Sequence, residues 1–226
     1  MQKHTLSHAQ SGYLSSLVLD YIQGHAFLKQ FYTVAPTLEG LLAIGKPENF
    51  SHIQRSVLVA VLENQNRNLQ LPAVVEKNIA ALASENCYCI VTAHQLNIFT
   101  GPLYTIYKTV SAIKACMVLK EQKPDAHFVP VFYLGSEDHD FNEINHVHLF
   151  GKNITWNKDA SGPCGRLSMD GMEKVLGDVQ SILGGGVNAE KILHIFKAAY
   201  TTHKNLAEAT RYILNALFGE YGLVII

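Results

Sequence analysis

The densest group of chemically active side chains lies in the fourteen residues Gly135–His148, which contain four carboxylates and three histidines. This density is unusual because only 16% of the 226 residues are charged. Carboxylates this close repel one another unless a metal cation, a bound amine or protonation offsets their charge. An imidazole exchanges protons near neutral pH, so His139 is the best-placed general base. We therefore predict a catalytic group made of Glu137, Asp138, His139 and Asp140.

Other interpretations of this stretch stay open. A solvated acidic turn has the same composition and needs no ligand. His146-x-His148 places two imidazoles on one face of a strand, which suits a transition metal, although surface histidines on paired strands fit the same pattern. The polar neighbours that we predict to contact substrate are Ser136, Asn142 and Glu143.

A second polar group follows an apolar strand and leads into a helix that Gly101-Pro102 begins. Helix N-termini carry free N–H groups and positive partial charge, so they bind phosphate. Gly101 lets a ligand approach the backbone, and Lys108 lies one to two turns further on. These features predict a nucleotide site formed by His94, Gln95, Thr100, Gly101, Tyr104 and Lys108. An ordinary core helix with Lys108 in solvent fits the segment equally well, since it is neither a P-loop nor GxGxxG.

A third candidate is the glycine turn Gly162-Pro-Cys-Gly-Arg166. An arginine after such a turn can hold an anionic substrate group through two parallel hydrogen bonds. We therefore predict that Arg166 binds substrate. A turn with a solvent-exposed arginine is the alternative.

Hydrophobic periodicity predicts the elements that position these groups. Cys87–Thr92 and Phe128–Leu134 are short, apolar and β-rich, and apolar residues recur at helical spacing from Gly101 to Leu119 between them. Strand, long helix and strand form a βαβ unit, whose strands are parallel. The polar group that follows the first of these strands is predicted to be a loop over residues 93–100. Both groups therefore follow strand carboxyl ends and lie at one edge of the sheet.

The rest of the chain is predicted to be mostly helical. Residues 1–85 read as helices, including one that the capping-box pattern Ser51-His-Ile-Gln54 begins. The elements predicted after residue 145 are the strands His146–Phe150 and Ile154–Asn157, the helices Met169–Leu183, Asn188–Tyr200 and Asn205–Phe218, and the apolar strand Leu223–Ile226.

Composition narrows the class of protein. The chain has 18 basic and 19 acidic side chains, a net charge of −1 and 48% hydrophobic residues, which is typical of a folded globular protein. A sequence-independent nucleic-acid binder needs a basic excess that is missing here. The N-terminal residues show no apolar signal segment, and the apolar runs are too short to span a membrane. We expect a cytoplasmic protein without nucleic-acid or membrane partners, whose exposed sheet edges favour a homodimer.

Three runs of the sequence resemble the bacillithiol-biosynthesis cysteine ligases (BshC): FTGPLYTIYKTVSAIK (99–114), VPVFYLGSEDHDFNEINHVHL (129–149) and GPCGR (162–166). The opening helices and the closing LFGEYGLVII also fit. The resemblance implies an α/β fold with a Rossmann-like parallel sheet, similar to nucleotidyltransferases and class I aminoacyl-tRNA synthetases. It also implies an N-terminal helical segment and a connective insertion.

The resemblance divides the chain into four parts. Residues 1–86 are the helical segment that packs on the core, and residues 87–150 are the first part of the Rossmann-like core with both polar groups. Residues 151–202 are the connective insertion, and residues 203–226 return to the core. Because the sequence ends on an apolar strand and covers about the first half of a family member, we expect a C-terminal half with a coiled coil to be absent.

The resemblance implies a ligase that joins the carboxyl of L-cysteine to the amine of glucosaminyl malate and so forms bacillithiol. A carboxylate at neutral pH needs activation before it can form an amide, so ATP is expected, together with Mg²⁺. In this scheme Gly101, Tyr104 and Lys108 hold phosphate. The acidic residues bind the cysteine ammonium, Mg²⁺ or the incoming amine, and Arg166 binds malate.

Two other functions remain as alternatives. One is a metal-dependent hydrolase that uses Asp138, His139, Asp140, His146 and His148. The other is a non-catalytic fragment that binds nucleotide or thiol.

Overall fold

A computed structural model describes residues 4–44 and 51–226 of the chain. The chain forms two compact units, Met1–Asn49 and Phe50–Ile226. The four-part division expected from the resemblance stays a prediction.

In the first unit, the described residues 4–44 form three short α-helices and one 3₁₀ segment. The helices are α1 (His8–Ser11), α2 (Ser16–Ile22) and α3 (Leu38–Ala43), and the 3₁₀ segment is Ala26–Phe31. A hydroxyl caps the first turn of each α-helix, because it accepts a hydrogen bond from a backbone N–H that has no partner inside the helix. The capping residues are Ser7, Ser15 and Thr37.

The second unit contains the sheet and the longer helices. In chain order its elements are α4 (His52–Asn66), α5 (Ala73–Ala81), β1 (Cys87–Gln95), α6 (Leu103–Gln122), β2 (His127–Gly135), α7 (Phe141–Ile144), β3 (His146–Leu149), β4 (Lys152–Thr155), α8 (Met172–Leu183), α9 (Val187–Thr202), α10 (Leu206–Phe218) and β5 (Val224–Ile225). The capping box at Ser51 and Gln54 is confirmed.

Three parallel strands form the main sheet in the order β1-β2-β5. The predicted βαβ unit is therefore confirmed, with α6 as the crossover helix. Pro130 lies inside the middle strand, where a residue without an N–H normally interrupts a ladder. The backbones of Phe132 and Leu134 bond to Ile226, the residue directly after β5. Pro130 lies two residues before Phe132, so its ring nitrogen points to the same side of β2, where the pairing with β5 begins only at Val131.

The strands alternate their side chains between two apolar clusters. Val129 and Val131 pack with Val224 and with residues of α4 and α5 on one face. Phe132 and Leu134 belong to the larger cluster on the other face, which includes residues of α6, α8, α9 and α10. Helices therefore pack on both faces of the sheet along β2, as is typical of parallel sheets. Coverage is incomplete at β1 and at the end of β2, where Val91 is 58% and Tyr133 is 51% exposed.

Residues 136–145, which connect β2 to β3 and include α7, are called the acidic loop. A two-stranded antiparallel hairpin of β3 and β4 follows it. Phe150 (φ 48°) and Gly151 (φ 79°) connect the strands, and two residues with positive φ match the right-handed twist of a hairpin. The second strand begins at Lys152 and not at Ile154, so the predicted start was wrong. The two-residue turn sets the register and draws Lys152 into pairing with Leu149.

Trp156 anchors the hairpin to the core. Its side chain is fully buried, its indole N–H donates to the Asp170 carbonyl oxygen at 2.9 Å, and its ring lies 5.3 Å from that of Phe141. Because Phe141 begins α7, this contact also holds the end of the acidic loop.

Among residues 4–44 and 51–226, no helix has both the length and the apolar character needed to cross a membrane.

We predict that Trp156→Ala lowers the free energy of unfolding by about 3–5 kcal/mol, because it leaves a large cavity and an unpaired carbonyl oxygen. Urea denaturation followed by circular dichroism measures the change. Phe150→Ala is the control, since the Phe150 side chain is 83% exposed; it should change stability by less than about 0.5 kcal/mol. Equal effects of the two substitutions would contradict this role of Trp156.

Candidate functional site

The candidate site lies where β1 and β2 end together. The parallel register pairs Gln95, the last residue of β1, with Gly135, the last residue of β2. The two segments that leave these strands therefore start side by side. Ligands of open α/β sheets bind at this carboxyl edge.

His94 and Gln95 belong to β1, so the prediction that residues 93–100 form a loop was wrong for its first three residues. The sequence after Thr92 is polar and lacks a strand pattern. Pairing with β2 extends the strand, since β2 stays regular up to Gly135 and offers partners for both residues. The strand therefore fixes the backbone of His94 and Gln95 more firmly than a loop would.

The Gln95 amide connects the strand to the acidic loop. Its Nε2 donates to Asp138 Oδ2 at 2.9 Å and to Glu143 Oε2 at 2.8 Å. One neutral amide thus holds two carboxylates close together. The Gln95 amide therefore ties the end of β1 to both carboxylates.

Two hydrogen bonds lower the pKa of Asp138 below its usual value. The larger effect comes from the Asp140 backbone N–H, which donates to Asp138 Oδ1 at 2.9 Å, and the next from the Gln95 amide. Both bonds favour the charged carboxylate. Since the folded pKa lies below the unfolded one, these bonds stabilise the fold above about pH 4 and this contribution is lost as the pH falls through the folded pKa.

The turn between β1 and α6 has an unusual backbone. Phe99 (φ 52°), Thr100 (φ 70°) and Gly101 (φ 64°) all lie in the left-handed region, which non-glycine residues seldom adopt. Only glycine fits at 101, because a Cβ there would collide with the Asn97 side chain. The turn carries the chain directly to the start of α6.

Tyr200, from α9, holds this turn. The Phe99 backbone N–H donates to the Tyr200 hydroxyl oxygen at 2.7 Å, and the two rings meet edge to face at 5.2 Å. Burial raises the pKa of Tyr200, so its hydroxyl is neutral at physiological pH. A residue a hundred positions away therefore stabilises the backbone next to the site.

The first turn of α6 faces the end of β1. His94 Nε2 and the Tyr104 hydroxyl lie 2.8 Å apart, and His94 Nδ1 lies 3.2 Å from the Gln95 carbonyl oxygen. Lys108 Nζ donates to the Ala93 carbonyl oxygen at 2.6 Å and lies 5.8 Å from the centre of the Tyr104 ring. The helix N-cap, Pro102, has no side-chain capping bond. The Thr105 N–H donates to the Pro102 carbonyl oxygen at 2.9 Å, which leaves the Leu103 and Tyr104 N–H groups at the helix start available.

These elements enclose a cleft of about 430 Å³. Its walls come from the end of β1, the start of α6, the acidic loop and β3. The side chains of chemical interest that line it are His94, Gln95, Asn97, Tyr104, Glu143, His146 and His148. The cleft thus brings together one residue of the predicted substrate group, Glu143, and four of the predicted nucleotide site: His94, Gln95, Gly101 and Tyr104.

The other predicted catalytic residues lie outside the walls of this cleft, within the part of the chain that the structure describes. Glu137, His139 and Asp140 are exposed, and Asp138 reaches the cleft only through Gln95. The cleft walls also do not include five other predicted site residues, Thr100, Lys108, Ser136, Asn142 and Arg166. The predicted site therefore divides into a cleft and an adjoining acidic loop, and the roles of its residues stay predictions.

The glycine turn packs against the acidic loop through backbone atoms. The Gly165 N–H donates to the Ser136 carbonyl oxygen at 2.9 Å, and the Cys164 N–H donates to the Asp138 carbonyl oxygen at 2.7 Å. Arg166 Nη2 lies 3.5 Å from Glu137 Oε2, with both side chains more than two-thirds exposed. Such a surface pair contributes little to stability and leaves the guanidinium accessible.

The two histidines of β3 lie side by side, with ring centres 5.3 Å apart, as their shared strand face predicts. Among residues 4–44 and 51–226, no group of three or more His, Cys, Asp or Glu side chains is arranged to hold a metal ion. The five residues of the hydrolase alternative are therefore not gathered into one ligand set in this part of the chain.

Asn97 is a residue of the site that the sequence motifs do not indicate. This side chain is 9% exposed and its Nδ2 donates to the Glu143 carbonyl oxygen at 3.3 Å, so it connects the turn after β1 to the acidic loop. Its position between the apolar residues Leu96 and Ile98 was the available signal. A polar residue in an apolar context usually has a structural partner.

Comparison with known proteins gives the same family as these motifs. The whole chain, residues 1–226, matches the family described as "Bacillithiol biosynthesis BshC, N-terminal Rossmann-like domain". The chain belongs to the BshC family. The predicted resemblance and the Rossmann-like α/β fold class are thereby confirmed.

Individual members of the BshC family align with this chain over its full length. Proteins named "Putative cysteine ligase BshC" are 43% identical in Flavobacterium johnsoniae, 41% in Flavobacterium psychrophilum and 40% in Christiangramia forsetii. Each alignment covers 100% of this chain but 43% of the relative. The BshC chain described here thus spans less than half the length of these relatives.

We predict that Gln95→Ala raises the pKa of Asp138 toward its ordinary value, because a hydrogen bond to the charged carboxylate is lost. An NMR titration of the side-chain carboxyl carbons measures this pKa. Gln122→Ala, at the far end of α6, removes an exposed amide and should leave Asp138 unchanged. An unchanged Asp138 pKa in the Gln95 variant would show that this hydrogen bond is absent in solution.

We further predict that Gly165→Ala destabilises the protein by about 1–3 kcal/mol. The added Cβ would lie 2.7 Å from Ser136 Cβ and 2.8 Å from the Ser136 carbonyl oxygen, so the glycine turn must separate from the acidic loop. Gly177→Ala is the matched control, because a Cβ there meets no atom within 4 Å and alanine favours the helix. Thermal unfolding should show a lower Tm only for the first variant.

Proposed function

We propose that this chain is the nucleotide-binding and catalytic part of a ligase that joins the carboxyl of L-cysteine to the amine of glucosaminyl malate, forming bacillithiol. The observation that carries the proposal is the cleft at the carboxyl end of β1 and β2, in a chain of the BshC family. The relatives' printed names supply the ligase activity and cysteine. Glucosaminyl malate follows from the resemblance.

The start of α6 supports ATP as the activating co-substrate. The uncapped first turn offers N–H groups, and the backbone at Gly101 carries no side chain that would keep a phosphate away. Lys108 lies beside this turn with an exposed ammonium. These features suit a phosphate group. ATP would supply the leaving group that a carboxylate lacks at neutral pH.

The carboxylates at the sheet edge suit a cationic group. Glu143 lines the cleft, and Gln95 holds it close to Asp138. Either the ammonium of a substrate or Mg²⁺ brought by ATP would offset this negative charge. Arg166, exposed on the glycine turn, is the cation best placed to bind the malate carboxylates.

We place this reaction in the cytoplasm, because all four cysteines are free thiols, as in reducing compartments. The edge of β1 that does not face β2 is the surface through which we propose that two copies associate.

The direct test is a ligation assay with L-cysteine, glucosaminyl malate and ATP, with product followed by mass spectrometry. It should be run on this chain and on a chimera in which the chain replaces the matching domain of the Flavobacterium johnsoniae relative. ATP-dependent bacillithiol formation by either protein supports the proposal. A chimera that folds, makes no bacillithiol and binds no ATP would overturn it.

Lys108 allows a sharper test of the nucleotide site. We predict that Lys108→Ala weakens ATP binding about five- to tenfold, the effect of about 1 kcal/mol, because a cation next to the first turn of α6 is lost. Isothermal titration calorimetry measures the affinity. Lys114→Ala removes the same charge from an exposed position of the same helix and should have little effect. Equal losses in the two variants would indicate a general charge effect and contradict this site.

A further inference from the structure

The hydrogen bonds of His94 determine which of its ring nitrogens carries the proton. A carbonyl oxygen can only accept, so the Nδ1 that faces the Gln95 carbonyl oxygen must be protonated. In the neutral imidazole Nε2 is then an acceptor. The Tyr104 hydroxyl, 2.8 Å away, therefore donates its proton to His94 Nε2.

This direction leaves the Tyr104 oxygen as an acceptor for a ligand. The hydroxyl proton is engaged by His94, so the remaining lone pairs of the oxygen are free. The Tyr104 side chain is 53% exposed and lines the cleft. A ligand N–H or O–H in the cleft can donate to this oxygen.

The surroundings of the pair favour a cationic or proton-donating ligand. From the acidic loop, Glu143 lines the cleft, and Asp138 is linked to it through Gln95. From β3, His146 and His148 form the opposite wall. From α6, Lys108 lies over the Tyr104 ring, where its charge stabilises transient negative charge on the phenol oxygen.

We propose that Tyr104 and His94 form a proton relay that acts as the general base for the amine in the ligation step. This inference rests on the proposed function. As the amine nitrogen forms its bond to the activated cysteine carbonyl carbon, its N–H proton passes to the Tyr104 oxygen and the Tyr104 proton passes to His94 Nε2. The bond to the nucleotide-derived leaving group breaks with its electron pair, and His94 ends as an imidazolium.

This assignment replaces His139 as the base. The His139 side chain is exposed on the acidic loop and, in the described part of the chain, lies outside the cleft walls. A general base must come within hydrogen-bond reach of the proton that it removes. Tyr104 lines the cleft, so it meets this requirement for an amine bound next to its hydroxyl, and His94 supplies the imidazole that accepts the Tyr104 proton.

The relay is tested with two acceptor amines. Hydroxylamine is largely unprotonated at neutral pH and attacks activated carboxyls without a base, so it reports activation alone. We expect His94→Gln and Tyr104→Phe to lower the kcat of bacillithiol formation about 100-fold or more, with KM nearly unchanged. His94 and Tyr104 also belong to the predicted nucleotide site, so weaker ATP binding would lower both reactions equally. We therefore expect ATP-dependent formation of cysteine hydroxamate to fall at least about tenfold less than bacillithiol formation in the same variant. The acidic limb of the kcat pH profile should disappear in His94→Gln.

The control is a second histidine–tyrosine pair. The ring centres of His203 and Tyr212 lie 4.9 Å apart. Neither residue is among the described residues that line the cleft. His203→Gln should leave both reactions and the pH profile unchanged. Equal losses of hydroxamate and bacillithiol in the His94 and Tyr104 variants would overturn the relay. The relay would also be overturned if the acidic limb of the kcat pH profile disappeared in His139→Gln but persisted in His94→Gln.

Failure of the proposed function gives a different result. If the unsubstituted protein forms no ATP-dependent hydroxamate, the activation scheme itself is wrong. The hydrogen bonds can still be tested on this chain by ¹⁵N NMR of the imidazole. We expect the Nδ1–H tautomer for His94 and a shift of its Nε2 signal in Tyr104→Phe. The Nε2–H tautomer, or no shift, would overturn the relay without reference to activity.

Discussion

The candidate site depends on one constraint, the parallel register in which Gln95 at the end of β1 pairs with Gly135 at the end of β2. Because both strands stop at the same level, the turn to α6 and the acidic loop leave the sheet side by side. Gln95 can then donate to Asp138 and Glu143 with one amide group. A shift of one residue would turn Gln95 to the opposite face of the sheet and break both bonds.

A second constraint comes from outside the βαβ unit. The left-handed backbone of Phe99–Gly101 is unfavourable locally, and it persists because Tyr200 on α9 accepts the Phe99 N–H and packs against its ring. The short turn brings Tyr104 back to His94 within one helical turn of Gly101. The helices after the hairpin therefore contribute to the cleft although they supply none of its reactive groups.

The division of the site into a cleft and an acidic loop is compatible with the two-substrate ligation that we propose. Imidazole, phenol and amide groups line the cleft next to a helix N-terminus without a side-chain cap. The acidic loop carries the carboxylates, and the Gly165 N–H donates a hydrogen bond to its backbone at Ser136. Gln95 is the physical link between them. Membership of the BshC family explains why a Rossmann-like sheet carries this pair of segments, since both lie in the runs that carry the resemblance.

Local sequence patterns determined much of this protein. The apolar runs around Val91 and Val131 set the strands, helical periodicity set α6, and the long motifs identified the family, because each depends on residues that are neighbours in the chain. Sequence could not show that β1 continues to Gln95, that Asn97 belongs to the site, or that His139 lies outside the cleft. Those features depend on pairing with β2, on packing against Gly101 and on the path of the acidic loop, and such long-range contacts exist only in the folded tertiary structure.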